Sequence, residues 1–364
     1  IHFTVPNEAI TPEELLSKID LKINRVHFNL LFLSPTYVTA ILGASGSDSQ
    51  HLFLNIDIIG NLARTGNWFH NLESDFGLLD TILALEHPST LGVDLSLYEN
   101  AGANRVQQLA YALAQANEYL NHLEQGNKEV LKNTRFNFTV SIGSDYFFEM
   151  AKLRALRILF GTLSAEYGAL PHCHITAIPS KRNKTLYDYN NNLLRTVTEC
   201  MSAILGGADT ICNMPYDAIY HKENDFGTRM ARNQLLLLKH ESHFNKVGNA
   251  ADGSYYIEVL TQQLANKALE LFKQIETGGG FLTQLKQHLI QKKIKESAHK
   301  EQERFNKQEK ILVGSNKYQM ETEKVKNNLE LYPFVKTHAR KTLIEPILEK
   351  RLSEELEQAR LKRE

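Results

Sequence analysis

The hydrophobic and polar positions of this chain follow a repeating pattern. Seven short runs rich in β-branched and aromatic residues occur in the first 216 residues, and each is followed by a segment with helical periodicity. The runs cover residues 1–6, 25–32, 52–58, 91–98, 135–143, 172–178 and 210–216. Strict alternation of strands and helices predicts parallel strands joined by crossover helices. The predicted fold class is therefore α/β.

Such an alternation can build either an open doubly wound sheet or a closed (β/α)8 barrel. The sequence after the first run, PNEAITPEE, lacks the Gly-rich phosphate turn of a dinucleotide-binding sheet. The chain opens directly on an apolar alternating run without a methionine, so an eighth strand fits before Ile1. We therefore expect a TIM-type barrel whose first strand is missing at the N-terminus, and the open sheet stays the alternative.

Within the strand runs, polar side chains alternate with apolar ones. In a barrel covered by helices the apolar positions face outward and the alternate positions face the lumen. The polar positions predicted to face the lumen are His2, Thr4, His27, Asn29, Asn55, Asp57, Asp94, Ser96, Asn137, Thr139, Ser141, His172, His174, Thr176, Thr210 and Cys212. A buried polar group without a partner costs about 1–3 kcal/mol. The lumen is thus expected to hold either a self-satisfied network with water or a polar ligand.

The strand–helix alternation ends at about residue 245, and a second region follows. We predict a barrel domain at residues 1–248 and a helical extension or linker region at residues 249–364. An Asp-Gly-Ser turn at residues 252–254 is predicted to join the two regions. The tyrosines that follow, Tyr255 and Tyr256, are predicted to pack against the protein.

Composition argues against several classes of protein. The 41 Lys and Arg residues against 42 Asp and Glu residues leave a formal net charge of −1, so no overall positive field attracts nucleic acid or an anionic membrane. The apolar runs are far shorter than the roughly 20 residues of a membrane span. Three cysteines without metal-site spacing suggest reduced thiols and a cytoplasmic location.

Three histidines at predicted inward positions, His2, His27 and His174, raise the alternative of a metal-dependent barrel hydrolase. A hydrogen-bonded core histidine is the commoner arrangement. The sequence contains no nucleophile elbow, Walker loop or HExxH motif. The residue pattern alone therefore assigns no metal ligand and no catalytic residue.

Several longer stretches of the sequence resemble one known family, the methylmalonyl-CoA mutases. The stretches are YFFEMAKLRALRILFG (146–161), YDYNNNLLRTVTECMSAILGGAD (187–209), RMARNQLLLLKHES (229–242), and DGSYYIEVLT (252–261) with the GGG that follows at 278–280. Their order and spacing match those of the family from about Phe136 to Gly280. The stretch YENAGANRVQQLAYALAQANEYL (98–120) resembles in particular the small, or beta, subunits of the family.

The resemblance implies a cofactor and a substrate class. Members of the family combine a TIM barrel with an adenosylcobalamin domain and interconvert succinyl-CoA and methylmalonyl-CoA through radicals, and their barrel lumen admits the acyl-CoA. Catalytic subunits carry an Asp-x-His-x-x-Gly motif whose histidine binds cobalt, and no such triplet occurs in this sequence. We therefore expect no cobalamin-binding domain in residues 249–364, and expect the partner subunit to hold the cofactor.

The resemblance also suggests three substrate-binding residues. The His-Ser-Gln-Thr-Ser-Gly stretch of catalytic members falls on TAIPSK (176–181), so that Thr176 stands where those members have histidine. His174 lies two residues away, on the same face of the strand. Arg135 stands where catalytic members have the arginine that binds the substrate carboxylate, a role that suits a forked, permanently charged donor. Alternatively, Arg135 has a structural role and caps the end of its strand.

Taken together, the resemblance implies a small, non-catalytic subunit of an adenosylcobalamin-dependent methylmalonyl-CoA mutase. Such a chain would stabilise a catalytic large subunit in a heterodimer and would belong to an isomerase only as part of that complex. The alternative is the acyl-CoA-binding barrel of a split mutase that works with a separate cobalamin-domain protein. Neither hypothesis identifies the acyl group of the substrate, since related acyl-CoA mutases share these stretches of sequence.

Overall fold

The computed structural model describes residues 1–336 and 340–364. Its parallel strands alternate with helices, which confirms the predicted α/β class and parallel arrangement. The strands are β1 (His2–Val5), β2 (Val26–Leu30), β3 (Leu52–Phe53), β4 (Gly92–Asp94), β5 (Asn137–Ile142), β6 (His174–Pro179) and β7 (Thr210–Ile211). The α-helices are α1 (Pro12–Leu16), α2 (Pro35–Ser45), α3 (Ile58–Thr65), α4 (Leu72–Leu83), α5 (Ser96–Asn100), α6 (Arg105–Gly126), α7 (Lys128–Asn133), α8 (Tyr146–Glu166), α9 (Asn191–Leu205), α10 (Asp225–His240), α11 (Tyr255–Thr277), α12 (Phe281–Lys286), α13 (Leu289–Asn306) and α14 (Glu354–Leu361).

The strands form two parallel sheets, with the orders β1-β2-β3 and β4-β5-β6-β7. The residues that follow β3 join the two sheets. Ile56 forms a backbone bridge with Leu91, and the Leu54 N–H donates to the Ser89 carbonyl over 2.9 Å. The strands therefore follow one another in chain order. Within the described residues β1 and β7 have no backbone pairing with each other, so a closed barrel is not shown.

The side chains of β5 illustrate the predicted alternation. Phe138, Val140 and Ile142 are buried in the main hydrophobic core, together with residues of α6 and α8. Thr139, which lies between them in sequence, lines an interior cavity. Successive residues of a strand point to opposite faces. The predicted division between an apolar outer face and a polar inner face is therefore confirmed on this strand.

Side-chain caps fix where several helices begin. Asn104 and Gln107 form a capping box at the start of α6, in which each side chain accepts a hydrogen bond from the backbone N–H of the other residue. Asp57 caps α3, because its Oδ1 accepts the Gly60 N–H over 2.8 Å. Such caps satisfy N–H groups that have no partner inside the helix. The cap at α3 also holds the Asp57 carboxylate near the carboxyl end of β3.

The helices after residue 248 pack onto the strands and helices before it. α11 contacts α6 and α8. Leu264, Ala268, Phe281 and Ile294 belong to the same hydrophobic core as the strands. The division of the chain at residue 248 stays a prediction. None of the helices in the described ranges is both long enough and apolar enough to span a bilayer.

The prediction that Tyr255 and Tyr256 pack against the protein is wrong for Tyr255, whereas the Tyr256 ring packs against Phe147 with the ring centroids 5.7 Å apart. The two residues are 84% and 52% exposed. They lie in the first turn of α11, whose buried face carries Ile257 and Leu260 instead. Helical periodicity decides which residues of this segment face the core, and Tyr255 falls on the outer face.

Residues 341–353, which we call the strap, cross the carboxyl ends of the strands without helix or strand structure. Backbone N–H groups of the strap donate to carbonyls that follow β3, β4 and β6: Leu343 and Ile344 to Gly66, Ile347 to Ala63, Lys350 to Asn100, and Leu352 to Arg182. A Cβ atom on Gly66 would lie 2.6 Å from the Ile344 carbonyl oxygen, and the φ angle of Gly66 is +79°. Glycine is therefore required where the strap meets the end of α3.

Candidate functional site

A polar cavity lies inside the strand array and extends to its carboxyl ends. Its volume is about 290 Å³, and we call it the carboxyl-end cavity. The cavity is lined by residues predicted to face the lumen, namely His2, Thr4, Asn29, Asn55, Asp57, Asp94, Ser96 and Thr139. It is also lined by Arg64, Asn100, Lys181 and Glu349, a residue of the strap. The residues of the first group, predicted to face inward from the alternation, therefore line one common cavity.

Asp57 is the most extensively hydrogen-bonded carboxylate of this cavity. Besides capping α3, its Oδ1 accepts hydrogen bonds from Gln115 Nε2 over 2.6 Å and from the Tyr119 hydroxyl over 2.8 Å. Its Oδ2 accepts the Asp94 N–H over 3.1 Å. Burial raises the pKa of Asp57 to about 6, although these donors favour the charged form.

Arg64 joins the strands to the strap through two ion pairs. Its Nη2 lies 2.5 Å from Asp94 Oδ2, and its Nη1 lies 2.8 Å from Glu349 Oε1. Lys181 Nζ lies 3.9 Å from the other Glu349 oxygen. Burial alone would raise the pKa of Glu349, but the positive charges of Arg64 and Lys181 outweigh burial and lower it. Glu349 is thus held in its charged form.

A second cavity of about 370 Å³ lies between β1 and β7, and we call it the lateral cleft. Residues of both strands and of α10 line it, including Ile1, His2, His27, Thr176, Thr210, Ile211, Cys212, Ala231 and Leu235. His2 lines both cavities. The lateral cleft therefore reaches the same interior that the carboxyl-end cavity occupies.

A cluster of packed rings adjoins the lateral cleft through His27. The ring centroids of His27 and Phe53 lie 4.4 Å apart, and those of Phe53 and His174 lie 4.2 Å apart. His174 Nε2 lies 3.0 Å from Thr210 Oγ1, and Thr176 Oγ1 lies 3.4 Å from His27 Nδ1. Burial lowers the pKa of His27 to about 3 and that of His174 to about 4. Both histidines are therefore neutral at physiological pH.

Comparison with protein families assigns the chain. A family model described as methylmalonyl-CoA mutase matches residues 22–363. The chain belongs to the methylmalonyl-CoA mutase family. The resemblance found in the sequence is thereby confirmed over most of the chain.

Individual relatives in the family agree with this assignment. The chain is 39% identical to the methylmalonyl-CoA mutase small subunit of Porphyromonas gingivalis, over 68% of this chain and 41% of that protein. It is 33% identical to the methylmalonyl-CoA mutase of Rhizobium meliloti, over 76% of this chain and 40% of that protein. It is 30% identical to the large subunit of the P. gingivalis mutase, over 67% of this chain and 35% of that protein. The chain thus spans less than half the length of the relatives it matches.

The structure brings together two of the three substrate-binding residues that the family resemblance suggested. His174 and Thr176 lie on the same face of β6, against the cluster of rings. Arg135 lies at the amino end of β5 and is exposed, and its backbone N–H donates to the Pro88 carbonyl over 2.6 Å. A role of these residues in substrate binding stays a prediction for this member of the mutase family.

Arg64, Lys181 and Glu349, which line the carboxyl end of the cavity, have no recognisable signal in the sequence. Arg64 lies in the last turn of the amphipathic helix α3, where an arginine usually faces solvent. Glu349 lies 285 residues further along the chain, in a segment without periodicity. The ion pair between them depends on the path of the strap, and no local sequence pattern signals it.

The three lumen histidines lie close to one another. The His2 and His27 ring centroids are 6.4 Å apart, and those of His27 and His174 are 5.2 Å apart. Among residues 1–336 and 340–364, no group of three or more His, Cys, Asp or Glu side chains has an arrangement that could hold a metal ion. The rings instead contact one another, Phe53 and two threonine hydroxyls.

Acidification is expected to destabilise the protein through its buried neutral histidines. The folded-state pKa of His174, about 4, lies below its ordinary value of 6.5, so the unfolded state binds more protons between these limits. Stability is therefore lost as the pH falls through this window, with a slope of about 1.4 kcal/mol per pH unit for one histidine. His174→Gln should reduce this slope in chemical denaturation, whereas the control His299→Gln, on the exposed face of α13, should not. An unchanged slope in His174→Gln would contradict this account.

Proposed function

We propose that this chain is the small, non-catalytic subunit of an adenosylcobalamin-dependent methylmalonyl-CoA mutase and that it stabilises a catalytic large subunit in a heterodimer. The observation that carries the proposal is the comparison with the two subunits of one organism. The chain is 39% identical to the small subunit of P. gingivalis and 30% identical to its large subunit. In the complex the reaction is the interconversion of succinyl-CoA and methylmalonyl-CoA, and this chain alone is inactive.

The surroundings of β6 support a non-catalytic role. Thr176 stands where catalytic members carry a histidine, and its hydroxyl faces His27 instead. His174, two residues away, is buried, neutral and in contact with Thr210. A side chain fixed in this way among rings is poorly placed to exchange protons with a substrate. We infer that β6 has a structural role in this chain.

The residues present do not fit adenosylcobalamin. A corrin ring with its side chains is several times larger than the carboxyl-end cavity of about 290 Å³. The strap also covers segments at the carboxyl ends of β3, β4 and β6, the end at which α/β barrels bind their ligands. These observations support a complex in which the partner subunit holds the cofactor.

Adding adenosylcobalamin to the purified chain is expected to leave the absorption spectrum of the corrin unchanged. The reason is that the carboxyl-end cavity is too small for a corrin and that the sequence lacks the Asp-x-His-x-x-Gly motif whose histidine binds cobalt in catalytic members. A catalytic mutase preparation containing both subunits serves as the positive control. A stoichiometric change of the spectrum with this chain alone would contradict the proposal.

We also infer that the strands belong to a closed (β/α)8 barrel with an eighth strand in the lateral cleft. The free edges of β1 and β7 border this cleft, and α10 forms its outer wall. A parallel strand there would pair with both edges and leave none exposed. An experimental structure of the protein isolated from its native source tests the inference. A strand between β1 and β7 is expected, and direct pairing of β1 with β7 would contradict it.

A second candidate function is the acyl-CoA-binding barrel of a split mutase that works with a separate cobalamin-domain protein. The exposed Arg135 favours it, because no ion pair of its side chain occurs among the described residues. Micromolar binding of succinyl-CoA in isothermal titration, lost in Arg135→Ala but kept in Lys132→Ala, would support this function. Lys132 is a matched control, since it is an exposed cation on the neighbouring helix α7. An absence of binding supports the non-catalytic subunit.

We further propose a cytoplasmic location. Cys173, Cys200 and Cys212 are free thiols, and two of them are buried. Burial raises the pKa of Cys173 to about 12, which keeps this thiol protonated and unreactive. Unpaired thiols of this kind support a reducing compartment.

A further inference from the structure

The strap places one of its own carboxylates in the carboxyl-end cavity. Glu349 Oε1 accepts a hydrogen bond from Arg64 Nη1, and Glu349 Oε2 faces Lys181 Nζ. The other arm of the Arg64 guanidinium, Nη2, is held by Asp94. Arg64 is therefore oriented by the residue at the end of β4 and presents a second donor to whatever anion occupies the position of Glu349.

We propose that the carboxyl-end cavity is a binding site for a small hydroxy-monocarboxylic acid, and that Glu349 occupies the position of the carboxylate of that acid. An arginine fork beside a lysine ammonium is an arrangement that proteins use to hold carboxylates. The proposal goes beyond the role of a mutase subunit. It depends on neither a partner subunit nor a cofactor.

The other residues of the cavity define the class of ligand. Asp57 and Asp94 also line it, so a second carboxylate on the ligand would meet negative charge. The hydroxyls of Thr4 and Thr139 line the same cavity and can each donate or accept a hydrogen bond with a ligand hydroxyl.

The backbone on both sides of Glu349 is anchored. The Ile347 N–H donates to the Ala63 carbonyl over 2.8 Å, and the Lys350 N–H donates to the Asn100 carbonyl over 3.0 Å. Ile347 is buried in the main core. A free acid therefore competes with an intramolecular carboxylate that is present at a high effective concentration. We expect the unmodified chain to bind such acids weakly.

Shortening Glu349 tests the proposal, because Glu349→Ala opens the position while the strap backbone stays anchored. Isothermal titration with lactate is expected to give a Kd at least about tenfold lower for Glu349→Ala than for the unmodified chain, since the competing carboxylate is gone. Lactamide, which has the same shape without the charge, is expected not to bind. Glu345→Ala is the matched protein control, because Glu345 is a strap carboxylate that pairs with Lys295 outside this cavity.

Variants of the two cations complete the test. Arg64→Met in the Glu349→Ala background is expected to abolish lactate binding, with circular dichroism to verify that the protein is folded. Lys181→Met in the same background is expected to weaken binding severalfold, and it serves as the test if Arg64→Met does not fold. The proposal is overturned if Glu349→Ala and the unmodified chain bind lactate equally. Binding of lactamide as tight as that of lactate, or lactate binding that is insensitive to both cation variants, also overturns it.

Discussion

Replacing Lys184 with methionine is expected to lower the free energy of unfolding by about 3–5 kcal/mol at about pH 8. Lys184 and Glu199 are both fully buried, and Lys184 Nζ lies 2.9 and 2.8 Å from the two carboxylate oxygens of Glu199. Methionine fills a similar volume but carries no charge. The variant leaves the Glu199 carboxylate buried. Its remaining hydrogen bond comes from the neutral Asn183 amide, whose Nδ2 lies 2.7 Å from Glu199 Oε1.

The loss in Lys184→Met is expected to depend on pH. Burial raises the pKa of Glu199 to about 7, above its ordinary value of 4.5, even with Lys184 present. The folded state therefore binds more protons than the unfolded state between these values, and the contribution of Glu199 to stability is lost as the pH rises through this window. Removing the Lys184 ammonium favours the protonated form of Glu199 further. The deficit of Lys184→Met should thus be smaller at about pH 5 than at about pH 8.

Urea denaturation of a double-mutant cycle measures this pair. Lys184→Met/Glu199→Leu is expected to recover most of the stability that Lys184→Met loses, because replacing a whole buried ion pair by apolar groups is often tolerated. Two outcomes would contradict the account: a Lys184→Met protein as stable as the unmodified chain at about pH 8, or a double variant less stable than Lys184→Met.

Replacing Asp57 with alanine is expected to lower the free energy of unfolding by about 3–5 kcal/mol, the sum of a lost helix cap and two buried donors left without a partner. The cap is the hydrogen bond from Gly60 to the start of α3. The two donors are Gln115 Nε2 and the Tyr119 hydroxyl. Thermal or urea unfolding monitored by circular dichroism measures the loss.

Two variants serve as controls for Asp57→Ala. Asn71 caps α4 through the Ser74 N–H at an exposed position, so Asn71→Ala should lose only about 1 kcal/mol. Asp57→Asn keeps an acceptor oxygen and should be less harmful than Asp57→Ala. The pKa of Asp57 is raised to about 6, so its carboxylate makes the unmodified protein less stable as the pH rises from about 4 to 6. Asp57→Asn should remove this pH dependence. Equal losses in Asp57→Ala and Asn71→Ala would contradict the role given to Asp57.

The type and order of the strands could be predicted from the sequence, but their lengths could not. The third run was predicted at residues 52–58, whereas β3 covers Leu52–Phe53. Asn55 has a φ angle of +48°, outside the strand region, and Asp57 already caps α3. The polar side chains that mark the inner face of the run also form the turn and the cap, and alternation alone does not separate these roles.

The interior of the site could be predicted more completely than its rim. Alternation within each strand predicts which side chains share a face, and twelve of the predicted lumen residues line the two cavities. Arg64 and Glu349 could not be predicted, because their contact depends on how the irregular strap crosses the ends of the strands. Tyr255 is exposed because the helical period, and not aromatic character, decides which residues of α11 face the core.

The mass of the complex that contains this chain in its native source tests the central claim most directly. Native mass spectrometry after affinity purification is expected to show one copy of the chain bound to one copy of a larger protein with the Asp-x-His-x-x-Gly motif and bound corrin. Recovery of the chain alone, as a self-assembly, or with corrin attached to itself would contradict the claim that it is the non-catalytic subunit of a mutase.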